Sequence, residues 1–307
     1  SPDVWHVHNH CLGKNLLLPL ALHKLAQKGA RLLLHIHDFA EDGRPANYQL
    51  MLKKIAAGNR DRLSALLYLC ASHVHYALLN GRDLNFLAIS GADRARLHLL
   101  PNPVDFQISD NREEKRVDWE FLQDKKLWLY PTRAIRRKNI GEFLLWASLA
   151  GEENVFATTR GPQNPAARPQ FKKWQNIALR LNLPVHFELA LKYDFTSLMQ
   201  KAYCLLTTSI SEGFGLAFLE PWLINRPLFG RDIPEITSDF KNQGLELPWL
   251  YQRLEVPVEW LGLDVIERKA FNGLQKSFHA YGRMPAAEDV ERVLSVWIGD
   301  GTAKINC

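Results

Sequence analysis

Hydrophobic and polar positions along the chain switch between a period of two and a period near 3.6, and the switches outline its elements. Residues 4–8 alternate as a short strand, and 16–28 carry apolar positions at helical spacing up to Gly29, a residue suited to close a helix. Residues 31–37 read as a second strand. Strand, helix and strand within so short a span predict a βαβ unit with parallel strands and a right-handed crossover. The pattern then predicts a helix over 49–59, strands near 66–69 and 75–79, a helix from Asn80, and a strand over 97–100 that stops at Pro101. A charged, non-periodic stretch follows at 110–118. Beyond it, an apolar strand at 127–130 opens a second series, with helices to 150 and over 170–181, 195–202 and 215–225. Strands at 155–158, 185–188, 203–206 and 226–230 alternate with these helices, and from 256 onward the pattern is helical, over 265–280 and 286–297. Repeated βα units predict open α/β sheets. The charged stretch divides the chain into domains 1–118 and 119–307, two Rossmann-like doubly wound units of which the first is short.

Size and composition fit this reading. The 307 residues are 47% hydrophobic and 23% charged, ordinary for two globular domains. The net charge of +5 is spread along the chain. It suits an anionic small ligand or a loose association with acidic lipid headgroups. No basic and aromatic motif of a nucleic-acid-binding module occurs, so nucleic acid is not an expected partner. Cysteines stand at 11, 70, 204 and 307 with no close pair, a pattern of a reducing compartment such as the cytoplasm. No apolar run reaches 18 residues, and the first residues do not resemble a signal peptide.

The richest chemistry lies in Thr207-Thr208-Ser209-Ile210-Ser211-Glu212-Gly213-Phe214-Gly215-Leu216-Ala217-Phe218-Leu219-Glu220. This run passes from an apolar strand through a glycine turn into an apolar helix. Such an order places free backbone amides and the positive end of a helix dipole together, a seat for phosphate. Glu212 and Glu220 bracket the seat, which suits a ligand carrying both phosphate and hydroxyls. Arg133 and Lys138 follow another strand end, in Pro131-Thr132-Arg133-Ala134-Ile135-Arg136-Arg137-Lys138-Asn139. In the first domain, ligands of parallel sheets bind beyond the carboxyl ends of the strands. Residues placed there are His8, Asn9 and His10 after the first strand, and His37 and Asp38 after the second. His6, His8 and His10 alternate along one strand, so a zinc or iron site is one reading. Three ligands on one extended strand rarely reach one ion, and no fourth is evident, so hydrogen bonding at the edge of a site is the stronger expectation.

The segment from Glu212 to Glu220, after Thr-Ser and around Gly-Phe-Gly, resembles the E-x7-E signature of retaining GT-B glycosyltransferases of the family 4 type. Pro101-Asn102-Pro103-Val104-Asp105 resembles the segment that closes the N-terminal domain in that family. The resemblance implies a GT-B fold and transfer of a sugar from a nucleoside-diphosphate sugar to an acceptor hydroxyl, with retention of anomeric configuration. It implies that Arg133 and Lys138 bind the donor diphosphate, that Glu220 holds the ribose, and that Glu212 meets the donor sugar. Gly213, Phe214, Gly215 and Leu216 would approach the sugar and phosphates, and Ser209 matches the small polar residue before the first glutamate. His37 matches an N-domain histidine near the donor sugar, with His8, Asn9, His10 and Asp38 on the acceptor side. No Asp-x-Asp pair occurs, so a metal-independent reaction without a cofactor is expected. The Gly-rich segment with which relatives begin is not found, nor is the usual closing helix before Asn306, so the first domain is expected to be incomplete. Two other readings stay open: an epimerase or phosphorylase of nucleotide sugars on the same fold, and a non-catalytic nucleotide-sugar-binding or regulatory module.

Overall fold

The computed structural model describes residues 3–105, 119–299 and 302–305, with the backbone alone described for 299 and 302–305. The charged stretch at 110–118 expected to divide the domains therefore lies outside the described residues, as does the extreme C-terminus. The chain forms two compact units, Ser1–Asn102 with Glu255–Lys304, and Pro103–Leu254 with Ile305–Cys307.

In the first unit the elements run β1 (Trp5–His8), α1 (Leu17–Gln27), β2 (Leu32–Ile36), α2 (Pro45–Lys54), α3 (Arg60–Leu67), β3 (Val74–Leu78), α4 (Gly81–Ile89) and β4 (Leu97–Leu99). Gly29 ends α1 as expected, at φ +78° with its amide on the Ala26 carbonyl. Of residues 66–69, expected as a strand, Leu66 and Leu67 instead finish α3 and 68–69 follow it. Asn59 caps that helix by accepting from the Arg62 amide, and Leu63, Leu66 and Leu67 then fall on one buried face. The four strands are parallel in the order β1-β2-β3-β4. Because right-handed crossovers that always advance in one direction leave each connection on the same side, this sheet is one half of a doubly wound one. An apolar cluster takes Leu22, Met51, Leu63 and Leu87 from the four helices onto Leu32, Leu34, Ile36, Val74, Tyr76 and Leu78. The opposite face presents His6, His8, Leu33, His35, His75 and His98.

The second unit holds β5 (Lys126–Arg133), α5 (Ile140–Leu149), β6 (Asn154–Arg160), α6 (Arg168–Arg180), β7 (Val185–His186), α7 (Phe195–Lys201), β8 (Cys204–Thr207), α8 (Leu216–Leu223), β9 (Leu228–Arg231), α9 (Pro234–Asn242) and β10 (Leu250–Tyr251). Its parallel strands are ordered β10-β9-β8-β5-β6-β7. From β5 the chain winds outward through β6 and β7, then returns to add β8, β9 and β10 on the other side. The reversal falls between β5 and β8, and at such a switch point the loops beyond the two strands diverge and leave a crevice. Aromatic packing of Tyr130, Phe143, Phe156 and Phe171 fills the core on one side.

The last described elements are β11 (Leu254–Pro257), α10 (Val258–Leu261), α11 (Leu263–Ala280), α12 (Ala287–Trp297), β12 (Ile298–Gly299) and β13 (Thr302–Ile305), the three strands forming a small sheet. The sequence assigned these helices to the second domain, whereas 255–304 cluster with the first unit. The Arg44 amide donates to the Tyr281 hydroxyl at 3.0 Å, and the Tyr281 ring meets Tyr48 edge-on at 5.4 Å. An amphipathic helix is drawn to whatever apolar surface is available, and sequence spacing does not say which surface that is.

Candidate functional site

The site grows from the two strand ends at the switch point. Trp128 and Leu129 of β5 pair with Cys204 and Leu205 of β8, so both chains leave the sheet side by side. Between Tyr130 and Arg133 the register slips. The chain then makes a tight turn over Arg136–Lys138 and enters α5 at Asn139, whose φ is +48°. Asn tolerates this left-handed conformation better than most residues.

Buried hydroxyls clasp that turn to the end of β8. Tyr130, at 1% exposure, donates to the Lys138 carbonyl at 3.1 Å and shares a 2.8 Å hydrogen bond with Ser209. Thr208 donates to the carbonyls of Lys138 and Asn139 at 3.0 and 3.1 Å, and the Ile210 amide donates to the Arg137 carbonyl at 2.9 Å. Burial pushes the Tyr130 phenol up to about 12, so it stays a donor at neutral pH. Ser209, expected to face the donor, is fully buried within this clasp and holds the turn instead. A small polar residue was legible there, but its partner was not.

The clasp delivers Lys138 to Glu212. The ammonium is ion-paired with one carboxylate oxygen, and Arg137 stands 3.7 Å from the other. Glu212 is 7% exposed. Glu220, one helix further on, is half-buried. Burial lifts its carboxyl above the usual range, Lys138 pulls it down and Glu212 pushes it up, so these three groups share one electrostatic environment. Arg133 is exposed at the end of β5, and its guanidinium has no ion pair among the described residues.

Gly215 starts α8 at φ +94°, and no side chain caps the helix. The first amides of α8 therefore lack an intrahelical acceptor and point the positive end of the dipole outward. A methyl group on Gly215 would stand 2.7 Å from Ile236 and 3.0 Å from Phe218, so glycine is required both by conformation and by space. Phe214 is buried and edge-on to Phe240 at 5.6 Å, which fixes the loop from behind. Leu216 is 40% exposed, and Gly213 is half-buried.

Outside the sequence expectation lies a buried network beneath the site. Arg231, 6% exposed, forks onto Glu142, which is fully buried and also accepts from Asn139 Nδ2 at 2.8 Å and from the Tyr251 hydroxyl at 2.5 Å. It ties the ends of β9 and β10 to the residue after Lys138. Its only trace in the sequence is a lone Glu in an apolar helix and a lone Arg ending an apolar strand.

In the first unit, His8 Nδ1 and His37 Nε2 are 3.0 Å apart, and the Asn9 side-chain oxygen accepts from the His37 amide at 3.0 Å. Burial, followed by the neighbouring His8, holds the His37 imidazole below its ordinary value. Asp38 is ion-paired with Arg44 at 2.9 Å. His10 does not join them. Asn9 turns the chain at φ +54°, and His10 swings into the core at 2% exposure, bonded through Nε2 to the Leu67 carbonyl at 2.7 Å. The alternation of His6, His8 and His10 therefore stops at His8, where the strand ends.

Known proteins can now be set beside this geometry. No family model matches the chain. Mannosylglucosyl-3-phosphoglycerate synthase of Petrotoga mobilis is 29% identical over 254 residues, covering 78% of this chain and 48% of that protein. The chain thus spans about half the length of that curated relative. Among solved structures, Anabaena HepE in complex with UDP aligns with a TM-score of 0.58 at 14% identity, over 96% of this chain and 78% of that one. The α,α-trehalose 6-phosphate synthase of Burkholderia multivorans aligns with a TM-score of 0.56 at 14% identity, over 82% of this chain and 60% of that one. These likenesses show the fold: two parallel-sheet α/β domains resembling those of GT-B glycosyltransferases.

Proposed function

We propose that this chain carries the donor-binding and catalytic machinery of a retaining, metal-independent glycosyltransferase of the family 4 type, acting on a nucleoside-diphosphate sugar. The observation that carries this reading is the clasped turn, which brings Lys138 and Glu212 together at the switch point of the second sheet. Arg133 ends the same strand from which that turn departs. The uncapped N-terminus of α8 and the half-buried Glu220 follow directly in sequence.

Breaking the bond between the sugar and the diphosphate builds negative charge on the leaving oxygen. Arg133 and Lys138 stabilise that charge more than the ground state, and the α8 amides share it. Glu220 accepts from the ribose hydroxyls. Glu212 orients the donor sugar as positive charge grows at its anomeric carbon. Both Glu212 oxygens face cations, which disfavours it as a covalent nucleophile. The bond from the anomeric carbon to phosphate breaks, the bond to the acceptor oxygen forms on the same face, and the acceptor proton passes to the leaving diphosphate. By the resemblance, His37 is assigned to the donor sugar, and His8, Asn9 and Asp38 to the acceptor side.

The Petrotoga relative is named for sugars carried on phosphoglycerate, and HepE was crystallised with UDP and with UDP-glucose. UDP-glucose and nucleoside-diphosphate mannoses are therefore the first donors to test, with a phosphorylated hydroxy acid as acceptor. A nucleoside diphosphate bound by the native state alone raises the melting temperature by an amount set by its affinity. Such a shift, together with release of diphosphate from one of the donors in the presence of a chelator, supports the reading. A shift without turnover identifies a binding module, and neither effect with any donor refutes the assignment.

A further inference from the structure

The face of the first sheet opposite its apolar cluster brings together more imidazoles than hydrogen bonding at a site edge requires. His8 on β1 pairs in register with His35 on β2, and His6 lies two residues earlier on the same face. One ring nitrogen from each of His6, His8 and His35 falls within 4.8 Å of the others. His6 Nε2 and His35 Nδ1 are 3.3 Å apart. Two nitrogens on one tetrahedral ion, each about 2.05 Å from it, are separated by about 3.3 Å.

The outer nitrogens are already engaged. His35 Nε2 donates to the Leu100 carbonyl at 3.1 Å, which leaves Nδ1 as the lone-pair nitrogen facing His6. His8 bonds through Nδ1 to His37 at 3.0 Å, which leaves its Nε2 for an ion. Carbonyl and imidazole partners of this kind fix the tautomer and ring orientation of metal-binding histidines. His6 and His8 are exposed, so an ion has a path in and a fourth position open to water. His35, by contrast, is 4% exposed and rigidly held.

We propose that His6, His8 and His35 form a binding site for a zinc-class divalent transition metal ion, with Leu100 and His37 as its outer partners. Three imidazoles select zinc, cobalt, nickel or copper, whereas calcium and magnesium call for oxygen ligands. The ion joins the carboxyl ends of β1 and β2. The sequence weighed a metal on one strand and set it aside. The third ligand comes from the neighbouring strand, in place of His10.

The test uses the full chain, freed of metal and titrated with Zn²⁺ by calorimetry and with Co²⁺ by visible absorption. The expected result is one ion per chain, a Co²⁺ spectrum of tetrahedral intensity displaced by Zn²⁺, and no response to Mg²⁺ at the same concentration. His6→Gln and His8→Gln alter exposed side chains, and each should weaken binding at least tenfold with an unchanged circular dichroism spectrum. His37→Gln should weaken it less. The double variant His75→Gln/His98→Gln changes the stacked pair on the same face, whose nitrogens are 2.8 Å apart, and should bind like the parent. Absence of stoichiometric binding overturns the proposal, as does binding that survives in both His6→Gln and His8→Gln.

Discussion

Replacing Lys138 by Met separates what this cation does for stability from what it does for chemistry. Its ammonium pairs with Glu212, and the two side chains are 14% and 8% exposed. Removing one partner of a buried pair leaves an uncompensated charge, a loss of about 3–5 kcal/mol. Arg137 is near enough, at 3.7 Å and 44% exposed, to replace part of the attraction, so the loss should fall near the lower end, about 3 kcal/mol. Chemical denaturation reads this directly. Adding Glu212→Gln removes the stranded charge, so the double variant should recover most of the stability. Turnover should not follow. Loss of one preorganised cation at the leaving group costs about 3 kcal/mol in the barrier, a hundredfold or more. Donor turnover should therefore stay depressed in the single and the double variant alike. If Lys138→Met releases donor diphosphate within about threefold of the parent, the leaving-group role is wrong; tenfold in rate corresponds to about 1.4 kcal/mol. If its stability is unchanged, the pair carries no energetic weight.

Three further outcomes follow from the geometry. Glu220→Gln should abolish the thermal shift given by nucleoside diphosphates. Because burial holds the Glu220 carboxyl above its ordinary 4.5, its contribution to stability is full below that pH and fades as pH rises through the raised value. The melting temperature of Glu220→Gln relative to the parent should therefore climb as pH rises above 4.5, and a flat difference would contradict the raised carboxyl. Gly215→Ala should destabilise by about 2 kcal/mol or more, since alanine is strained at φ +94° and its methyl meets Ile236 at 2.7 Å; a parent-like denaturation midpoint would refute this. Burial holds the His10 imidazole below its ordinary 6.5, so its contribution is full above that pH and is lost as pH falls through the lowered value. His10→Gln should flatten the decline of melting temperature below pH 6.5, and an unchanged slope would assign that decline to other groups.

Strand–helix alternation was legible because each element of a parallel sheet is long enough, or apolar enough, to show its period. The strand, turn and helix of the run from Thr207 to Glu220 were legible because its glycines fall between an apolar strand and an apolar helix. That Arg133 and Lys138 lie past a strand end follows from local order, whereas the pairing of Lys138 with Glu212 does not. Long-range partners were not legible. Nothing in the sequence at Ser209 says that Tyr130, 79 residues away, shares its hydroxyl. Asn9 was read as a hydrogen-bonding residue, and its left-handed backbone, which sends His10 into the core, was not foreseen. The short strands after 250 and the attachment of 255–304 to the first unit depend on tertiary packing that overrides local pattern.

Tyr130, Thr208 and Ser209 bolt the Lys138 turn to the neighbouring strand end through buried hydroxyls, joined by the Ile210 amide. On the proposed reading, an arriving diphosphate finds that turn already ordered. Association at this half of the protein should behave as a single-step encounter, fast, salt-sensitive and free of a slow isomerisation phase. The amide of Ile210, locked onto Arg137, should exchange with solvent equally slowly before and after the ligand lands.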